Sequence, residues 1–137
     1  MKPTIPLILA AVLAGPALAE TDPEKIAAIC AEADGRYAEA HGHPAAEEEG
    51  VTVVLMYKYT FCPVEVEVPV GAVVRWVNVD KRTSHSTWFR EEGEAESERL
   101  FPEESAEMTF DMPGDFDYLC GPHWESHDMI GTVRVAP

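Results

Sequence analysis

Residues 116–123 read Phe-Asp-Tyr-Leu-Cys-Gly-Pro-His, an alternation that ends on a cysteine, with a histidine three residues later. Side chains alternate across a strand, so Phe116, Tyr118 and Cys120 share one face, and the two aromatics mark that face as the one turned to a core. Cys120 is then aimed inward at the strand's end. Gly121-Pro122 turns the chain tightly and returns His123 beside the sulfur; Pro122 has no N–H, which limits the donors near a thiolate. Met129 precedes Ile130-Gly131-Thr132-Val133-Arg134-Val135, and parity places it on the inward face with Val133 and Val135. Upstream, Asn78-Val79-Asp80 leaves another strand, and His85 follows between Ser84 and Ser86.

One thiolate, two imidazoles and one thioether make a donor set of mixed softness. Sulfur suits Cu(I), imidazole is acceptable to Cu(II), and a Cys with two His and a weak axial Met is the ligation of blue-copper electron-transfer sites. The expectation is one type 1 copper ion held by His85, Cys120, His123 and Met129. His127 competes with Met129. The spacing C-x2-H-x3-H over Cys120, His123 and His127, completed by His85, would suit tetrahedral zinc or an unusual copper centre. A solvated loop residue is the plainer role for His127. Taken singly, Cys120 reads as an inert buried cysteine and His85 as a surface histidine; their combination argues otherwise.

These residues need a scaffold. Residues 21–40 read as a helix, with Thr21 and Glu24 at capping-box spacing and Pro23 in the first turn. Ile26, Ile29, Cys30, Ala33 and Tyr37 form one apolar stripe, which Gly35 interrupts. His41-Gly42-His43-Pro44 ends the helix, and Glu47-Glu48-Glu49-Gly50 is a polar linker. From Val51 the period changes to two. Strands are expected over 51–59, 64–68, 73–77, 107–111, 116–120 and 131–135, with turns at Val70-Gly71 and Pro113-Gly114. A long charged loop or ragged edge is expected between His85 and Glu107. This pattern predicts an all-β, Greek-key antiparallel sandwich with an N-terminal helical extension. Met56, Met108 and Met112 read as strand residues, at core or edge.

With the strands in place, the chain resembles the small blue-copper (cupredoxin) family of the plastocyanin and pseudoazurin type, over about residues 51–135. Phe61-Cys62-Pro63, Val66-Glu67-Val68-Pro69-Val70-Gly71 and Val73-Val74-Arg75-Trp76-Val77-Asn78 look like the strands ahead of the family's first ligand, and His85 stands where that ligand is expected. Tyr118-Leu119-Cys120-Gly121-Pro122-His123 with Met129-Ile130-Gly131 looks like the ligand loop. Two features depart from the pattern. Five residues (124–128) separate the second histidine from Met129, where four are usual, and Ser86 follows the first histidine, where Asn is common. The resemblance implies an electron shuttle rather than an enzyme, with the His123 ring edge near the surface and His85 and Cys120 deeper.

Compartment and partners follow from composition. Lys2, a short apolar run over 5–15 and Ala17-Leu18-Ala19 read as a signal peptide over residues 1–19, implying export to the periplasm. The remainder divides into a helix and acidic linker (20–50) and a copper-binding domain (51–137). Three cysteines occur in the chain. If Cys120 binds metal, Cys30 and Cys62 remain and can pair in an oxidising compartment. The formal net charge is −15, and loss of Lys2 with the leader makes it −16. That charge disfavours nucleic acid and anionic membrane and favours a basic docking surface, such as a cytochrome c or an oxidoreductase. No segment is suited to membrane insertion, and a monomer is expected. The second reading is copper storage or delivery, for which His41 and His43 could be an accessory site; solvated linker is their plainer role. A nitrite-reductase-like enzyme needs a further histidine-rich copper site, and the chain has five histidines in all.

Overall fold

A computed structural model describes residues 22–137; the signal-peptide expectation for residues 1–19 lies outside them. Helix α1 (Pro23–His41) is capped by Asp22, whose carboxylate accepts the Glu24 N–H at 3.0 Å; Thr21 of the expected capping box lies outside the described residues. An aspartate at this position satisfies one of the orphan amides of the first turn, and Pro23 opens the helix. The helix runs through Gly35 and ends on Gly42, left-handed at φ 82°.

Seven strands follow: β1 (Thr52–Tyr57), β2 (Thr60–Cys62), β3 (Glu65–Pro69), β4 (Ala72–Asn78), β5 (Ser105–Phe110), β6 (Gly114–Leu119) and β7 (Ile130–Ala136). They form two sheets, ordered β2-β1-β4-β5 and β3-β7-β6. The sandwich is the expected one, with a difference inside each sheet. β1 runs parallel to β4 and β3 parallel to β7, while the other pairs are antiparallel. Parallel neighbours require a crossover, and these are made between the sheets, where periodicity in the sequence is silent.

Val54, Met56, Phe61, Val66, Val68, Val74, Trp76, Phe110, Tyr118, Val133 and Val135 fill the space between the sheets. A second, smaller cluster lies on the outer face of the first sheet. There Ala33 and Tyr37 of α1 cover Val53, Leu55, Cys62 and Val77. β1 is therefore apolar on both faces, which accounts for its unbroken Val53-Val54-Leu55-Met56 run. The disulfide Cys30–Cys62 ties α1 to β2. Arg36 Nε donates to the Val79 carbonyl at 2.5 Å, and Tyr37 Oη donates to Glu48.

The strand expected over 51–59 is β1, but it stops at Tyr57, where a hairpin turn begins. Lys58 and Tyr59 both have positive φ, 45° and 58°, and reverse the chain between β1 and β2. Two left-handed residues suit a two-residue hairpin, but Asn-Gly is the usual sequence there, so Lys-Tyr carried no turn signal. Met56 is fully buried; Met108, on the edge strand β5, is 37% exposed, and Met112, 70% exposed, lies in the turn between β5 and β6 rather than in a strand. Among the described residues no helix is long and apolar enough to cross a membrane.

Candidate metal centre

The segment between β4 and β5 folds back on itself and on β6. His85 pairs with Leu100, and Trp88 with Leu119, the last residue of β6. The second bridge, Trp88 N–H to Leu119 O at 2.8 Å and its return at 3.1 Å, sets the His85 segment beside the strand that ends in Cys120. Asn78 organises the base of this loop. It is fully buried, donates to the carbonyls of Thr83 and Leu100 at 2.8 Å each, and accepts the Asp80 N–H at 2.9 Å.

His85, Cys120 and His123 converge there, with their ligand atoms all within 4.8 Å of one another. Cys120 Sγ lies 3.8 Å from His85 Nδ1 and 3.4 Å from His123 Nδ1. His85 and Cys120 are fully buried, and His123 is partly exposed. Met129 is 1% exposed and sits in the same core cluster as Cys120; the Cys120 N–H donates to the Met129 carbonyl at 2.9 Å. The inward parity expected for Cys120 and Met129 holds.

One side chain and one backbone amide prepare the donors. Asp80 Oδ2 accepts from His85 Nε2 at 2.5 Å. A proton held on Nε2 leaves the Nδ1 lone pair free toward Cys120, the usual way a carboxylate orients a metal-binding imidazole. The Ser86 N–H points at Cys120 Sγ at 3.5 Å, a donor able to support sulfur charge. Burial pushes the Cys120 thiol up from its ordinary value, partly opposed by the Ser86 and His123 N–H groups. Burial also pushes His123 down, helped by the neighbouring His85 and His127. A metal therefore meets a His123 biased toward the neutral ligand form, and displaces a proton from the thiol as it binds.

His127 lies outside this group of three. It occupies a short helix α2 (Trp124–His127) that had been expected as loop. Its exposed ring stacks on Tyr59 at 3.7 Å, and its Nδ1 contacts Ser126 Oγ at 2.7 Å. Tyr59 also meets His123 edge-on at 4.8 Å, so the left-handed hairpin supports the side of the exposed ligand. Trp124 and Trp88 flank Arg90, each ring centre 5.5 Å from the guanidinium carbon. Both rings of the His-x-His pair lie against Tyr37. His41 stacks on Tyr37 at 4.0 Å, and His43 Nε2 approaches Glu48 at 3.5 Å.

A thiol and two imidazoles at this spacing, with a buried methionine in the same cluster, fit copper by donor chemistry. Asp80 was missed as a partner of His85. Its only signal was an acidic residue at the exit of the strand preceding a candidate ligand.

Comparisons with known proteins agree. Residues 49–136 match the family model for copper-binding proteins of the plastocyanin/azurin family. Amicyanin-alpha of Methylorubrum extorquens is 31% identical over 78 residues, which is 54% of this chain; the chain spans 65% of that relative's length. Among solved structures, a reduced tryptophan-to-tyrosine variant of amicyanin superposes with a TM-score of 0.57 at 32% identity, covering 67% of this chain and 89% of that one. The Cu(I) form of a methionine-to-alanine variant of amicyanin gives 0.57 at 33% identity with the same coverage.

Proposed function

This chain belongs to the plastocyanin/azurin family of copper-binding proteins, and on that premise we propose that it carries single electrons between protein partners. The site takes one copper ion, which supplies a Cu(I)/Cu(II) couple when bound. His85 through Nδ1, Cys120 through Sγ, His123 through Nδ1 and Met129 would hold it. The observation that carries this reading is the unequal exposure of the donors: a fully buried thiol and His85, with His123 alone reaching the surface.

The residues divide the work. Asp80 orients His85, and the Ser86 N–H supports the charge on Cys120. The β6 strand end and the Trp88 bridge hold the donors on backbone hydrogen bonds, so they keep their positions when the charge at the site changes. His123 is the exit for the electron. A formal charge of −15 supports a partner with a basic docking face, met at a salt-dependent rate. The leader over residues 1–19 and a disulfide at Cys30–Cys62 support export to the periplasm; the mature N-terminus is then Glu20, as N-terminal sequencing would report.

Loading with Cu(II) tests the function. The expected result is an intense visible thiolate-to-copper band that bleaches on mild reduction and returns on oxidation. A protein that stays colourless with copper, or selects zinc over it, overturns the reading.

A further inference from the structure

Residues 91–98 include Glu91, Glu92, Glu94, Glu96 and Glu98, a run that reads as a solvated acidic loop. One member behaves differently. The Glu96 side chain is only 32% exposed, and its carboxylate reaches the copper-site loops. Ser86 Oγ donates to Glu96 Oε1 at 2.8 Å and accepts the Gly121 N–H at 2.9 Å. Ser86 follows His85 and Gly121 follows Cys120, so one hydroxyl joins the two ligand segments, and the carboxylate fixes which way that hydroxyl points. A hydroxyl that donates to a carboxylate is polarised as an acceptor, which strengthens its second bond.

Gly121 records the same arrangement sterically. Its φ is not among the left-handed ones, so the backbone does not require glycine. A methyl group added there would overlap the Glu96 carboxylate. The missing side chain makes room for Glu96. The segment bearing Glu96 is also held in place. The Ser97 N–H donates to the Thr87 carbonyl, and the Thr87 N–H donates to Ser97 Oγ, both at 2.9 Å. Arg99 Nε stands 3.4 Å from Glu96 Oε1 on the solvent side, 47% exposed.

We infer that Glu96 is a positioning and potential-setting residue of the copper site. Through Ser86 it fastens the His85 segment to the Cys120–His123 turn, and its charge, lodged beside Gly121, favours Cu(II) over Cu(I). The inference rests on the carrier reading above. A fixed negative charge near the metal stabilises the more positive oxidation state, and in a partly desolvated place it is poorly screened. Arg99, 3.4 Å from the same carboxylate oxygen, opposes it.

Redox titration of the copper-loaded full-length mature chain tests this with E96Q, R99Q, G121A and the double variant E96A/G121A. E96Q is expected to shift the Cu(II)/Cu(I) ratio at fixed ambient potential roughly tenfold toward Cu(I), a rise of about 59 mV for a one-electron couple. R99Q shifts it the opposite way. G121A expels the carboxylate and mimics E96Q, while E96A/G121A adds nothing further, because both changes remove one interaction. Opposite signs for E96Q and R99Q are an outcome that loosened packing alone would not produce. Amide exchange at Gly121 in the metal-free protein gives a second readout, and E96Q should accelerate it. A potential for E96Q within twofold of the parent ratio, additive effects of the two changes in the double variant, or unchanged Gly121 exchange would each overturn the assignment. Absence of the visible band in the parent protein would count against the carrier reading alone, and Gly121 exchange would still decide the role of Glu96.

Discussion

The molecule has two apolar layers built to different specifications. The inner one, between the sheets, contains Cys120 and Met129 among its own members, so the copper site is part of the core. The outer one lies between α1 and the back of β1. It contains no proposed ligand and is closed by a disulfide, the Arg36–Val79 bond and the Tyr37–Glu48 bond. β1 belongs to both, presenting Val54 and Met56 inward and Val53 and Leu55 outward. The family match begins at residue 49, so α1 lies outside it. The copper site and the covering helix share a strand but pack in separate layers. Damage to the inner layer should alter the copper, and damage to the outer layer should alter stability.

The largest effect expected is from Cys120→Ser. It should abolish the visible thiolate band completely, while the metal-free protein still melts cooperatively. A band surviving in this variant would separate the inner layer from the site. Next is removal of the staple. Cys30→Ser with Cys62→Ser opens a link across 32 residues and should cost about 3 kcal/mol, read by urea unfolding of the metal-free protein. The reduction potential should stay where it was. A shifted potential would show that the two layers are coupled through β1.

Asp80→Asn tests the inner layer more gently. It keeps the size of the side chain but removes the carboxylate that holds the Nε2 proton of His85. Copper affinity should fall by roughly 10- to 100-fold, measured by competition with a chelator, and unfolding of the metal-free protein should change little.

The smallest effect concerns pH and the outer layer. The Tyr37 hydroxyl holds the Glu48 carboxyl below its ordinary 4.5, and burial, with Glu48 adding, pushes Tyr37 up to about 12 from 10.0. A lowered carboxyl contributes stability that is present above its unfolded value and lost as pH falls through the folded one. A raised phenol contributes stability that is present below 10.0 and lost as pH rises toward about 12. Stability should therefore decline in both acid and alkali, and Tyr37→Phe should flatten both arms. Unfolding midpoints across pH check it; arms unchanged in the variant would place the dependence elsewhere.

Features that depend on near neighbours were legible in the chain. Period-two alternation set which face of each strand is apolar, and so placed Cys120 and Met129 inward. The tight Gly121-Pro122 turn, a local feature, brought His123 to the sulfur. An odd cysteine count, with Cys120 assigned to metal, left Cys30 and Cys62 to pair. Helix spacing marked the stripe that now covers Val53 and Leu55. Features that join residues far apart in the chain became visible only in the folded molecule. The parallel pairing of β1 with β4 and of β3 with β7 leaves no local trace, because either pairing direction exposes the same alternating faces. Lys58 and Tyr59 in left-handed conformations look unremarkable until Asp80 and His127 are seen beside them, the Lys58 N–H 3.3 Å from the Asp80 carboxylate. Asp80 on His85 and Glu96 in the space left by Gly121 belong to the same class. A carboxylate's place in a charged loop says nothing of its direction; the fold aims it, and a glycine's missing methyl group lets it in.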